Sequence, residues 1–127
     1  MVGTADGYTI SAKLGELSTK DQVVALAFIF SDNGRMCFDR TNFIRRVGGV
    51  ARTHQAIPDL GRLVSVDGQP GVTRLEAALN QLEVQGYLTN GAYLRMSETG
   101  RAYVASSLTR AVEVLRPLRD ALDSTPG

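Results

Sequence analysis

One stretch of the sequence, from Thr73 to Gln81, is rich in side chains that can hydrogen-bond to the edges of nucleic-acid bases. Arginine can donate two hydrogen bonds to guanine, asparagine and glutamine pair with adenine, and a small apolar residue can contact the thymine methyl group. Arg74, Ala77, Asn80 and Gln81 supply these types, and Thr73 adds a hydroxyl group. If one helix presents all five on the same face, that face can read duplex DNA; a plain solvated helix surface is the alternative.

Residues that could catalyse a reaction or bind a metal are few. The chain has one cysteine, Cys37, and one histidine, His54, too few for an internal disulfide or a typical structural zinc site. The motifs GxxxxGK, GxSxG, HExxH and CxxC do not occur. His54 has no partner that its spacing identifies, and Arg35 activates Cys37 only weakly, so a surface histidine and a semi-buried structural thiol are the favoured interpretations. We expect no enzyme activity, no metal and no cofactor.

The composition is that of one folded globular domain. The chain has 127 residues, a net charge of +1, 43% hydrophobic residues and 21% charged residues, and this length can bury a core without disulfides. The longest apolar run, Val23 to Phe30, would extend about 12 Å as a helix, against about 30 Å for a bilayer core. Without a signal-peptide pattern the chain is expected in the cytoplasm. Any DNA binding must come from local cations, because no basic tail is present.

A helix over about residues 72–85 would bring the candidate base-reading residues together. Apolar residues recur there at spacings of three, four and three, which places them on one helical face: Val72, Leu75, Leu79 and Leu82. The five candidates fall on the opposite face. The spacing therefore predicts one amphipathic helix with a small, polar outer surface.

A hairpin is predicted directly after this helix. Asn90-Gly91 lies between two runs of strand-forming residues, a strong signal for a two-residue type I′ turn. Such a turn would pair Leu88 with Tyr93. Arg95 is the basic residue of this hairpin and is a candidate for contacting the DNA backbone or minor groove.

Shorter helices are expected before the amphipathic one. Ser18 begins a capping-box pattern, so a helix should run to about Phe30, although a buried strand competes for its apolar run. A second helix should start at Asp39 and break at Gly48-Gly49, and a third fits residues 58–64.

Three outward cations on these shorter helices are candidates for phosphate contacts: Arg45, Arg46 and Arg62. Residues 1–17 have no sustained periodicity and are expected to form a flexible arm. Residues 18–127 are expected to form the single domain.

The last helix, about residues 98–122, carries a seam of apolar residues spaced alternately by four and three: Val104, Leu108, Ala111, Leu115, Leu118 and Leu122. Such an a/d seam requires a partner. The seam predicts a homodimer through Leu108 and the residues after it; the alternative is that it covers the core of its own domain against Val23 to Phe30. Pro117 predicts a kink near Arg116.

The chain resembles the MarR and PadR families of bacterial winged helix-turn-helix regulators. The resemblance is carried by LEAALNQLEVQGYL at residues 75–88 and YLRMSETGR at residues 93–101, and extends over about residues 56–104. It implies a recognition helix, a hairpin wing and a helix that starts after the wing. The segment 65–71 is longer than the usual turn of this motif.

We therefore expect a mainly α fold with a small β-hairpin wing (α+β), a winged helix-turn-helix with a C-terminal dimerisation helix. The expected function is sequence-specific duplex DNA binding as a homodimeric transcriptional regulator. Two alternatives remain open. The same DNA binding can serve plasmid or chromosome segregation or phage control, or the domain can be a protein-interaction adaptor, which near-neutral charge favours.

Overall fold

The computed structural model describes residues 7–54, 56–65, 71–89 and 93–124. These residues form a mainly helical fold with a small antiparallel sheet. Its helices in chain order are α1 (Gly7–Glu16), α2 (Thr19–Phe30), α3 (Arg40–Thr53), α4 (Pro58–Leu63), α5 (Arg74–Val84), α6 (Glu98–Tyr103), α7 (Thr109–Leu115) and α8 (Leu118–Ser124). A π-helical segment, Val104–Leu108, joins α6 to α7, and the two strands are β1 (Phe38–Asp39) and β2 (Tyr93–Leu94).

Helix α2 is the centre of the core. All residues from Gln22 to Ala27, together with Ile29, are buried, and α2 contacts α5, α7 and α8. The Ser18 hydroxyl accepts a hydrogen bond from the Asp21 amide at 3.2 Å, a cap that contributes about 1 kcal/mol to helix stability. The predicted helix is thus confirmed over the competing strand.

The N-terminal segment differs from its prediction. Residues 7–16 form α1, which packs against α7 and α4, so a flexible arm is wrong for this part of the chain; residues 1–6 lie outside the described residues. Ile10 and Leu14, which are four residues apart and therefore on one face, are 4% and 0% exposed. The Leu14 carbonyl also accepts a hydrogen bond at 2.7 Å from the side-chain nitrogen Nε2 of the buried Gln22.

The predicted break of helix α3 at Gly48-Gly49 is wrong, because the helix continues to Thr53. Each glycine inside a helix costs about 1 kcal/mol relative to alanine. Val47 and Val50, on either side of the pair, are 0% and 1% exposed, and burial of these side chains offsets that cost. Asp39 begins the helix as predicted, accepting a hydrogen bond from the Thr41 amide at 3.2 Å.

The segment 93–97, which begins with β2, lies between two other segments of chain. On one side it pairs with β1, with Phe38 opposite Leu94. The Thr89 amide donates to the Arg95 carbonyl at 2.9 Å and the Ser97 amide donates to the Tyr87 carbonyl at 3.1 Å. Because alternate backbone groups of a strand point to opposite edges, residues 87–89 lie on the side away from β1.

The predicted register of the hairpin is wrong. Leu88 forms a bridge with Met96, not with Tyr93, so the connection is longer than two residues; Asn90-Gly91 itself lies outside the described residues. Leu94 and Met96 are 0% and 2% exposed, whereas Tyr93 is 71% exposed. Side chains alternate between the two faces of a strand, and residues that lie opposite one another share a face. The buried Leu88 must therefore lie opposite a buried residue such as Met96, and not opposite Tyr93.

The C-terminal seam packs inside its own protomer. All six seam residues are buried, including the five that were predicted to form a dimer interface: Leu108, Ala111, Leu115, Leu118 and Leu122. Helix α7 contacts α1 and α2, and α8 contacts α3 and α2. The assignment of this seam to dimerisation is therefore wrong, and the intramolecular alternative is confirmed. The break near Arg116 is confirmed, because α7 ends at Leu115 and α8 starts at Leu118.

Within the described residues, every helix is too short or too polar to cross a membrane.

Candidate nucleic-acid interface

Helix α5 presents the predicted amphipathic arrangement. Its leucine ridge, Leu75, Leu79 and Leu82, is fully buried, and α5 packs against α2 and α4. Arg74 and Ala77 are half-buried on the opposite side, where Asn80 and Gln81 are exposed. We call these four residues the outer face of α5.

Thr73 acts as the N-cap of α5. Its hydroxyl accepts a hydrogen bond from the Glu76 amide at 3.1 Å, and the Glu76 carboxylate accepts one from the Thr73 amide at 3.3 Å. Both partners of this capping box are therefore engaged in starting the helix. The Thr73 hydroxyl, predicted to contact DNA, serves in the structure to fix the beginning of α5.

A groove of about 380 Å³ runs between the outer face of α5 and the first turn of α2. Arg74, Ala77 and Gln81 form one wall, and Thr19 and Lys20 form the other. Its charged lining residues are both cations, Arg74 and Lys20, and the small Ala77 leaves the helix backbone approachable. The two cations make this groove electrostatically favourable for a negatively charged group.

Arg74 is tied to the segment that precedes α5. Its guanidinium donates a hydrogen bond to the Ser65 hydroxyl at 2.8 Å, and its amide donates to the Ser65 carbonyl at 3.1 Å. These contacts join the two ends of the long connection between α4 and α5. The length of that connection therefore does not prevent α5 from being held next to α4.

Arg40, which was not among the predicted site residues, contacts the outer face of α5 from α3. Its guanidinium donates hydrogen bonds to the Asn80 side-chain oxygen and to the Glu83 carboxylate. The ion pair neutralises Glu83, whose side chain is 16% exposed. Asn80 therefore needs to exchange its bond with Arg40 before it can pair with adenine through both its oxygen and its nitrogen.

The first turn of α2 is fixed beside α5 by two tyrosines. The Lys20 ammonium lies 4.6 Å from the centre of the Tyr87 ring and 4.9 Å from that of Tyr103, close enough for cation–π attraction. The Tyr103 hydroxyl donates a hydrogen bond to the Asp21 carboxylate at 2.7 Å. This hydrogen bond, with burial and the negative charge of Asp21, raises the pKa of Tyr103 from 10.0 to about 12.

The Tyr103 hydrogen bond predicts a loss of stability in strong alkali. The folded state holds the phenolic proton of Tyr103 more tightly than the unfolded chain does. The hydrogen bond therefore stabilises the fold fully below pH 10, and this stabilisation is lost as the pH rises through about 12. Titration by tyrosinate absorbance should show one late step, which Asp21→Asn moves towards 10.0 and Tyr103→Phe removes. Tyr8→Phe, at a residue that is 87% exposed, is the control; a late step that survives Tyr103→Phe would contradict the assignment.

The other predicted cations occupy different environments. Arg45, Arg62 and Arg95 are exposed, and Arg62 forms an ion pair with Asp59 at 3.4 Å. Arg46 instead donates hydrogen bonds to the carbonyl oxygens of Leu122 and Asp123 at the end of α8. These bonds give Arg46 a structural role at a helix C-terminus, where a cation is favoured, and its phosphate contact stays a prediction.

Neither Cys37 nor His54 belongs to the α5 surface. Cys37 is exposed, so the prediction of a semi-buried structural thiol is wrong. His54 is exposed, as predicted, with its Nδ1 atom 2.9 Å from the Thr53 hydroxyl. Among the described residues, no group of three or more His, Cys, Asp and Glu side chains is arranged to hold a metal ion.

Comparison with protein-family models, with curated proteins and with solved structures found no match to this chain. The geometry of the α5 surface is therefore the basis for inferring what the chain binds.

Proposed function

We propose that the chain is a DNA-binding protein of the winged helix-turn-helix class that inserts α5 into the major groove and regulates transcription. The observation that carries the proposal is the outer face of α5. Arg74, Asn80 and Gln81 offer groups that pair with bases, and Ala77 lets the helix backbone approach closely. Of the two carboxylates of α5, Glu83 is neutralised by its ion pair with Arg40, and Glu76 is half-buried and accepts hydrogen bonds within the capping box.

The order of strands supports a winged-helix arrangement. The segment 93–97, which begins with β2, lies between β1 and residues 87–89, the chain that leaves α5. Ser97 then caps α6 by accepting a hydrogen bond from the Gly100 amide at 3.0 Å. A recognition helix followed by a hairpin and a further helix is the chain order of this class. In this arrangement Arg95, exposed next to β2, lies on the hairpin that would form the wing.

Phosphate contacts are assigned to cations around α5. Lys20 faces Arg74 across the groove, and Arg45 and Arg62 are exposed on the helices that precede α5. With a net charge of only +1, non-specific attraction to DNA is weak and binding depends on these local contacts. The affinity should fall with salt, but less steeply than for a strongly basic protein.

Substitution of the outer face tests the proposal. Selection from random duplexes at low salt should yield a preferred site, and Arg74→Ala should weaken binding to that site about 10- to 100-fold. Gln81→Ala should relax the sequence preference at one base pair. Because no described contact uses the Gln81 side chain, the fold of this variant should be unchanged. Fluorescence anisotropy measures both effects.

Arg110→Ala is the matched control, because it removes the same charge from an exposed position on α7, outside the α5 surface. An equal loss of affinity in Arg110→Ala would indicate non-specific attraction. Absence of any salt-sensitive DNA binding would contradict the proposed function.

A protein-interaction adaptor is the second candidate. Val84, at the end of α5, is 84% exposed, so a partner protein that covered this side chain would gain free energy from its burial. Tyr93, on the hairpin, is 71% exposed. In the adaptor, Val84→Ser would abolish partner binding and DNA selection would give no preferred site.

A further inference from the structure

The helix that runs from α6 through the π-helical segment into α7 has a face opposite the core whose residues are all exposed. Its members are Glu98, Arg101, Ala105, Thr109, Glu113 and Arg116. In an uninterrupted α-helix, residues spaced by four rotate gradually around the axis. The π segment has more residues per turn, so it keeps Ala105, Thr109 and Glu113 in line. We call these six residues the outer stripe.

The outer stripe borders a groove of about 260 Å³. Half-buried Phe28 lines this groove together with Val104 and Val112, which are 2% and 3% exposed. Glu113 and Arg116 lie at the same groove, where the Arg116 guanidinium donates a hydrogen bond to the Asn33 side-chain oxygen at 3.1 Å. Ala105 and Thr109 are small, so a second helix can approach closely over them. Because Val104 and Val112 are already buried in the protomer, the surface that a second helix would remove from water is that of Phe28, Ala105 and Thr109.

The charges of the outer stripe are symmetric about Ser107. Glu98 and Arg116 are equally far from Ser107 on opposite sides and have opposite charges, and the same holds for Arg101 and Glu113. Within an antiparallel pair of identical helices crossing near Ser107, each of these residues would meet its oppositely charged counterpart. Arg101 and Glu113 lie six residues from the crossing point, about 9 Å along each helix, within reach of their long side chains.

We propose that the outer stripe binds a second copy of the chain as an antiparallel helix pair about a two-fold axis near Ser107. A second copy is the occupant that this charge pattern matches, because each end of the stripe complements the opposite end of an identical stripe. Glu98 and Glu113 form no ion pair within the described residues, which leaves both carboxylates available to arginines of the partner. The seam residues take no part, since they are buried in the protomer.

A charge exchange between Arg101 and Glu113 tests this interface by sedimentation velocity in the absence of DNA, so the result does not depend on the proposed function. The wild-type chain should be a dimer. Glu113→Arg and Arg101→Glu each place like charges opposite one another twice per dimer and should raise the dimer Kd about tenfold or more. The double variant restores two opposite-charge pairs and should sediment as the wild type does.

Arg110→Glu is the control, because Arg110 lies outside the stripe and should leave the dimer Kd unchanged. The stem of Arg101 packs near Gly34; if Arg101→Glu loses its circular-dichroism signal, Glu98→Arg combined with Arg116→Glu provides the same exchange. A monomeric wild-type chain, or single variants that stay dimeric, would overturn the proposal. Recovery of the dimer only in the doubly exchanged chain would support it.

Discussion

Leu115→Asp is expected to unfold the chain. Leu115 is 0% exposed and lies on α7, which packs against α1 and α2. Removing a buried leucine side chain costs about 2–5 kcal/mol, and a carboxylate placed there without a partner adds a further cost. Because the total stability of a small domain is about 5–15 kcal/mol, the variant should lose most of its cooperative unfolding transition in urea.

Val84→Asp provides the matched control for Leu115→Asp. Val84 is 84% exposed at the end of α5, so the same introduced charge should change the free energy of unfolding by less than about 0.5 kcal/mol. Leu115→Ala should fall between the two. A Leu115→Asp chain that stays folded and changes only from dimer to monomer would instead indicate that the seam joins two copies.

Gly100→Ala is expected to destabilise the junction between the hairpin and α6. A Cβ atom at this position would lie 2.4 Å from the Tyr87 carbonyl oxygen and 3.2 Å from the Met96 methyl group. The first of these atoms belongs to the backbone and cannot rotate away. Such overpacking costs about 1–3 kcal/mol, and the urea midpoint should fall accordingly while the m value stays constant.

Gly61→Ala is the matched control for Gly100→Ala. Gly61 lies in α4, and a Cβ there would meet no atom within 4 Å. Since alanine favours a helix interior over glycine by about 1 kcal/mol, this variant should be slightly more stable than the wild type. A Gly100→Ala chain as stable as Gly61→Ala would show that α6 does not need the close approach of Tyr87.

Elements with strong local signals were predictable from the sequence. The Ser18 cap and the leucine spacing of α5 depend on residues three or four positions apart, and both predictions are confirmed. Strand β1 was missed because its two residues form a strand only by pairing with β2. The hairpin register was wrong because burial of Leu94 and Met96, and not the turn motif, determines which residues face the core.

Contacts between distant parts of the chain explain the remaining differences. An a/d seam shows that a helix needs a partner, but its spacing does not distinguish α1 and α2 from a second copy. Arg40 lies 40 residues before Asn80, so no periodicity links them. The outer face of α5 was found because all its residues belong to one helix, whereas the Lys20 wall of its groove is contributed by α2.

The bond between Arg40 and Asn80 has a consequence for the consensus sequence that the proposed function requires. When Asn80 pairs with adenine it gives up its hydrogen bond with Arg40, and when the base is incorrect it keeps that bond. The difference in binding free energy between a correct and an incorrect base at that position is therefore small. Gln81 gives up no described contact when it meets a base. The operator should therefore be degenerate opposite Asn80 and strict opposite Gln81, its neighbour on the same helix.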